Sequence, residues 1–250
     1  MDVLWLINYN LCYNGCMENH KNTKINTPTA IIVAGFLIML AILITRGGSS
    51  SVAKEKTLSE QVGVNKDKFA QCMKDTDLQA LQKTTSESAD KAMSGVPADQ
   101  RGTPYIVVVG KNGSKAEIRG AYPKEEVQKI IAQVTAGKVT TPYTGQIPAV
   151  TAEDHIIGNI DAPIVIVEYS DLECPYCKRF NGVMKEIVAE SNGNVAWVYR
   201  HWIVHQGALA KAGASECVAK LKGNDAFWKY VDLVFGLIQT EDTTTATSNL

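Results

Sequence analysis

Hydrophobic and polar positions fall along this chain in three patterns, and each predicts a different kind of element. From Ala30 to Ile44 fifteen residues run without a charge or a strongly polar group. With residues 27–29 and Thr45 the run reaches about nineteen, enough to cross a bilayer core as one helix. From Thr57 to about Met93 the spacing changes. Leu58, Val62 and Val64, then Phe69, Cys72 and Met73, recur at helical intervals, with a break at Gly63 and Asn65 as a helix N-cap. Short apolar runs follow. Gly102–Gly110 reads as a strand led by Pro104, Lys111–Gly113 as a turn, residues 116–120 as a second strand, and Tyr122–Val134 as a helix with Pro123 in its first turn. Residues 135–153, rich in Pro, Gly and Thr, read as a linker of coil.

A second block starts at Asp154. Ile164–Tyr169 is a continuous apolar run of the buried-strand type, and Ser170–Glu173 is a turn. A helix opens at Cys174-Pro175-Tyr176-Cys177, a strand covers Val195–Arg200, and two helices cover Gly207–Leu221 and Asp225–Phe235. Residues 237–250 form a polar tail. The division is therefore 1–26, a span at 27–45, a linker at 46–56, blocks at 57–134 and 154–236 joined by 135–153, and the tail. Translation is expected to begin at Met17, which would leave residues 1–16, with Cys12 and Cys16, untranslated. An uncleaved anchor is preferred over a signal peptide, because the small-residue site Ser51-Val52-Ala53 lies far from the apolar run.

Charge excludes more than it identifies. The 250 residues carry 25 basic and 26 acidic side chains, so neither a polyelectrolyte nor a basic nucleic-acid-binding surface fits. Lysines and arginines flank the span evenly, so the positive-inside rule does not orient it. Six cysteines are too few for a stapled miniprotein and must be read singly.

The pair Cys174-x-x-Cys177 carries the chemistry. A zinc site would need a second ligand pair; no other C-x-x-C occurs, and His201 and His205, though spaced H-x-x-x-H, flank a strand end, so no metal is expected. Following a buried strand at a helix start, the pair meets unpaired amides and the positive end of the helix dipole, both of which favour a thiolate. Cys174, at the exposed end, is the expected nucleophile and Cys177, one turn in, the resolving thiol. Pro175 suits the first helical turn. Glu173 is a candidate to tune the thiolate or move a proton; a solvated acid is the alternative. His201 and His205 read more simply as structural than as disulfide neighbours.

DLECPYCKRF, preceded by DHIIGNIDAPIVIVEYS and followed by VYRHWIVH and GASECVAKLKGNDAFWKYVDLVF, resembles the membrane-anchored DsbA-type thiol–disulfide oxidoreductases of the thioredoxin superfamily. VGVNKDKFAQCM and GTPYIVVVGKNG in the first block resemble the same family. The resemblance implies an α/β thioredoxin-like fold with a helical insertion, no cofactor, and a cis peptide at Thr103–Pro104 beside the active pair, whose backbone receives substrate. It also implies a disulfide between Cys72 and Cys217; two unrelated buried thiols are the lesser alternative. In the family the C-x-x-C block comes first, so the order here is that of a circular permutant folding within one chain. A swapped dimer or a rearranged gene are the alternatives.

The implied activity is oxidation of protein thiols outside the cytoplasm, with Tyr176 resembling oxidase-leaning members and a membrane quinone-linked partner reoxidising the pair. A disulfide joining the blocks requires an oxidising compartment, so the soluble part is expected outside a cell membrane crossed once. The rival readings are a reductase or isomerase, a redox-inactive chaperone or binding module, and an extracytoplasmic metal carrier.

Overall fold

Strands rich in β-branched residues form the centre of the domain. The computed structural model describes residues 56–238. The expected membrane span at 27–45, the segment before it, linker residues 46–55 and the tail beyond 238 lie outside them. Among the described residues no helix is long and apolar enough to cross a membrane.

The helical text at the start resolves into three helices, α1 (Leu58–Gln61), α2 (Lys66–Asp75) and α3 (Leu78–Ala92). Each begins at a polar cap. Thr57 and Glu60 form a capping box, and Asn65 accepts from the amides of Asp67 and Lys68. Asp77 accepts from those of Gln79 and Ala80. Such caps satisfy first-turn donors that no helical partner can reach. The break at Asp77 divides what periodicity alone reads as one run.

β1 (Tyr105–Gly110) and β2 (Lys115–Arg119) follow, then α4 (Lys124–Thr135), β3 (His155–Ile157) and β4 (Ile164–Ser170). α5 (Pro175–Glu190), β5 (Val195–His201), α6 (Ala208–Lys222) and α7 (Asn224–Gly236) complete the described chain. The sheet order is β2-β1-β4-β5-β3. β4 and β5 are parallel, joined through α5, and every other neighbour is antiparallel. β1 of the first block thus lies against β4 of the second, and the two blocks share one sheet. β3 was not predicted: three half-buried residues are too few to show a period.

Strand alternation sorts the side chains onto two faces. Ile106, Val108, Ile166, Trp197 and Tyr199 pack with Phe180 and Met184 of α5 and Phe227 of α7. On the other face Tyr105, Val107, Val167, Tyr169 and Val198 pack with Ala89, Ala92 and Met93. Burial on both sides is why β4 reads as an unbroken apolar run rather than an alternating one.

Residues 136–154 are not the loose coil that their composition suggests. Pro142 bridges to Ala116 at the β2 edge, and the Tyr143 hydroxyl donates to the Ala92 carbonyl at 2.8 Å. Farther along, Arg200 donates to the Pro148 and Ala149 carbonyls and pairs with Asp154. Partners on α3 and β5 fix the backbone, and a turn-rich composition does not reveal such distant partners. Cys72 on α2 and Cys217 on α6, 145 residues apart in sequence, are joined by a disulfide.

Candidate functional site

β4 ends at Ser170 and α5 begins at Pro175, so residues 171–174 must turn the chain. Asp171, 1% exposed, pins that turn. One carboxylate oxygen accepts the Glu173 amide at 2.7 Å; the other accepts the Val204 and His205 amides at 2.7 and 2.9 Å. A short acidic side chain that binds the backbone two residues on is the usual device of a tight turn. Cys174 becomes the N-cap of α5 with Pro175 behind it, where the missing N–H of proline costs nothing. Cys177 follows one turn in, and the Asp171 amide donates to its sulfur at 3.4 Å.

The first block supplies the other wall. The Thr103–Pro104 peptide is cis, and the Thr103 carbonyl lies 3.4 Å from Cys174 Sγ. The structure therefore brings Thr103, Pro104, Cys174, Pro175, Tyr176 and Cys177 together from residues some seventy positions apart. One expectation needs correction. Cys174, read as exposed, is only 3% exposed, because the Thr103 loop lies over it; Tyr176, 56% exposed, presents the open surface.

The two sulfurs are thiols of opposite character. A hydrogen bond from the Cys177 thiol is the main influence holding Cys174 down to about 5. Burial opposes it, and the Thr103 side chain and first-turn amides of Cys177 and Tyr176 help. Burial, then the bond to Cys174, pushes the Cys177 thiol up. A stabilised thiolate on the outer cysteine and a protonated inner thiol are the charge arrangement of a reactive dithiol.

Behind Cys177 stands a group that the sequence reading missed. Glu168, 1% exposed on β4, accepts from the Trp197 indole N–H at 3.0 Å, while its other oxygen has no hydrogen-bond partner among the described residues. Burial pushes its carboxyl up to about 8; the Ser170 and Trp197 side chains partly oppose this, and the Cys174 charge adds to it. The available signal was a lone acid inside an otherwise apolar strand, six residues before the nucleophile. An acid seldom goes there without a task.

Glu173 does not do what its position suggests. Its carboxylate accepts the Gly207 amide at 2.9 Å and pairs with Lys211 at 3.1 Å, anchoring the start of α6 rather than facing the sulfur. His205 faces Asp171 at 3.2 Å. His201, buried, bonds Ser215 at 3.1 Å and lies 3.3 Å from Glu216, which also holds His155 at 2.9 Å. Among the described residues no group of three or more His, Cys, Asp or Glu side chains is placed to hold a metal ion.

A sheet with a parallel central pair, a C-x-x-C at the helix start and a proline loop facing it define a thioredoxin-like domain of mixed α/β class. The thioredoxin family profile matches residues 150–249, the block that carries the thiol pair. Na(+)/H(+) antiporter NhaA 1 of Mycolicibacterium vanbaalenii is 38% identical over 91 residues, covering 35% of this chain and 14% of the antiporter. NhaA 3 of Salinispora tropica is 35% identical over 91 residues, covering 35% of this chain and 13% of that protein. The chain thus spans about a seventh of these relatives, and nothing about ion transport follows from the overlap. Among solved structures, Pseudomonas aeruginosa DsbA2 is 33% identical over a stretch covering 36% of this chain and 50% of that one, with a TM-score of 0.33. BdbD from Bacillus subtilis is 30% identical, covering 34% of this chain and 48% of that one, with a TM-score of 0.31.

Proposed function

We propose that this chain is a membrane-anchored thiol–disulfide oxidoreductase that oxidises protein thiols outside the cytoplasm through a Cys174–Cys177 disulfide. The observation that carries the reading is Cys174 at the N-cap of α5, a thiolate favoured well below the ordinary thiol range. Favouring the thiolate stabilises the reduced pair over the disulfide, which makes the disulfide a stronger oxidant.

In the forward step a substrate thiolate attacks Cys174 Sγ. The substrate–Cys174 bond forms, the Cys174–Cys177 bond breaks, and Cys177 leaves as a thiolate. Glu168, protonated at neutral pH, is placed to give Cys177 its proton. The substrate's second thiolate then attacks the substrate sulfur of the mixed disulfide and releases Cys174 as the stable thiolate. Two electrons have passed from substrate to enzyme. Returning the pair to the disulfide requires an acceptor of two electrons, which the family resemblance assigns to a quinone-linked membrane partner. The lipid bilayer would hold the chain through residues 27–45.

The order of the two blocks is read as a circular permutation closing within one chain. The β1–β4 pairing within the chain and the fastened segment 136–154 fit that reading. A solution mass of twice the chain would count against it.

Mixing preoxidised protein with a reduced, unfolded dithiol protein tests the activity. Stoichiometric transfer of the disulfide, with a reduction potential well above that of glutathione, is expected. A pair found predominantly reduced in cells by thiol trapping would point to a reductase. Full activity in Cys174→Ser would point to a binding module.

A further inference from the structure

Beside the thiol pair stands a cation that has no carboxylate partner among the described residues. Arg179 lies one helical turn beyond Tyr176 on α5, its guanidinium carbon 5.2 Å from the centre of the Tyr176 ring. Nη2 donates to the Ala121 carbonyl at 3.4 Å, across from the loop that follows β2. These two contacts brace the exposed guanidinium against Tyr176, two residues from Cys174. Several other cations of the domain are engaged: Lys124 with Glu186 and Glu190, Arg119 with Glu117, Arg101 with Asp90, and Lys211 with Glu173. Lys178 donates to the Ile238 carbonyl.

Folding does not account for a cation here. Arg179 is the fifth residue of α5, beyond the reach of the helix dipole, and the first turn holds no acid for it to pair with. Nor does Arg179 prepare the nucleophile: Cys177, Thr103 and the amides of the first turn hold the Cys174 thiol low. Cys174 is 3% exposed and Tyr176, two residues on, is 56% exposed. The open surface next to the nucleophile is therefore the Pro175–Tyr176 turn, facing the Thr103–Pro104 loop that is expected to receive the substrate backbone. A residue flanking an attacking sulfur on that side meets the Tyr176–Arg179 face.

We propose that Arg179, braced on Tyr176, is a specificity residue that selects substrate thiols flanked by a carboxylate, an acidic peptide rather than a neutral or basic one. The guanidinium fork matches a carboxylate in two parallel hydrogen bonds, which a lysine cannot do. The proposal rests on the thiol–disulfide reading above.

Three dithiol peptides that differ only in Glu, Gln or Lys beside the attacking cysteine test it against the preoxidised full chain. At low salt the Glu peptide should react about threefold faster than the Gln peptide, the scale of one exposed ion pair, and the Lys peptide slower than both. The Glu:Gln rate ratio should fall to about one in Arg179→Gln, survive in part in Arg179→Lys, and shrink at about 0.5 M salt. The pH midpoint of Cys174 alkylation by neutral iodoacetamide should stay put in both variants, which separates selection from tuning. Equal rates for the three peptides, or an acidic preference that persists in Arg179→Gln, overturns the proposal and leaves the oxidoreductase reading standing. Failure to exchange with any peptide overturns both.

Discussion

The domain holds two pairs of cysteines, and burial does not tell them apart. Cys72 and Cys217 are 8% and 1% exposed; Cys174 and Cys177 are 3% and 0%. Their surroundings differ in kind. The first pair sits within α2 and α6, with the Thr76 hydroxyl 3.3 Å from Cys217 as its polar neighbour. The second lies at a helix start, between free amides and a buried acid. A cysteine's reactivity follows from what stabilises its thiolate, not from how much solvent it sees. Exposure is the weaker guide here.

The largest expected effect breaks one pair and spares the other. Cys174→Ser should reduce disulfide transfer to the uncatalysed rate while leaving the fold and the Cys72–Cys217 bond intact, checked by transfer assay and non-reducing peptide mapping. Replacing Cys72 and Cys217 together by Ala should do the reverse. The bond closes a loop across both blocks, and its loss should cost about 2–5 kcal/mol in urea unfolding, with transfer per folded molecule retained. Loss of transfer in a double variant that is still folded would end the distinction between a structural and a reactive pair.

The reactive pair also carries a pH signature that the structural pair lacks. In the folded dithiol form Cys174 is lowered to about 5, so its contribution to stability is present above the ordinary thiol range and is lost as pH falls through about 5. Glu168 is raised to about 8, so its contribution is present below the ordinary carboxyl range and is lost as pH rises through about 8. Between those values the folded chain holds the proton on Glu168 and the unfolded chain holds it on Cys174, so the two slopes oppose. Wild-type dithiol stability should be nearly flat from pH 5 to 8. Glu168→Gln should expose stability that rises by about 1.4 kcal/mol per pH unit, and Cys174→Ser stability that falls with pH. Urea unfolding across that range decides it. A steep wild-type slope would show that the two groups do not share a proton in this way.

How much of this was legible in the sequence depended on the range of the interactions involved. Asn65, Pro123 and Pro175 announce helix starts because a cap or an N1 proline acts within one turn. The Cys174-x-x-Cys177 motif announces its chemistry for the same reason. Glu168 stayed hidden inside a run read only for its hydrophobicity, because its importance comes from Trp197 across the sheet and from a cysteine on the next helix. Residues 136–154 were read as coil because Ala92, Ala116 and Arg200, which fasten them, are remote in sequence. β3 is three residues long and exists only by pairing with β5. Local rules read caps and motifs; pairing and burial must be seen assembled.

Glu173 marks the boundary between the two kinds of information, and it gives the smallest expected effect. Adjacency to Cys174 suggests a tuning acid, yet the carboxylate is spent on the Gly207 amide and Lys211. Glu173→Gln keeps an acceptor for that amide and loses only a half-exposed ion pair, so the cost should be about 0.5–1 kcal/mol. The pH midpoint of Cys174 alkylation should not move. Gly207→Ala provides an independent route to the same end, since a Cβ there collides with the Glu173 carboxylate and dislodges it without removing its charge. If either Glu173→Gln or Gly207→Ala shifts the alkylation midpoint by more than about half a unit, the carboxylate does reach the thiolate's field. The contrast between an anchoring acid at 173 and a proton-holding acid at 168 would then fail.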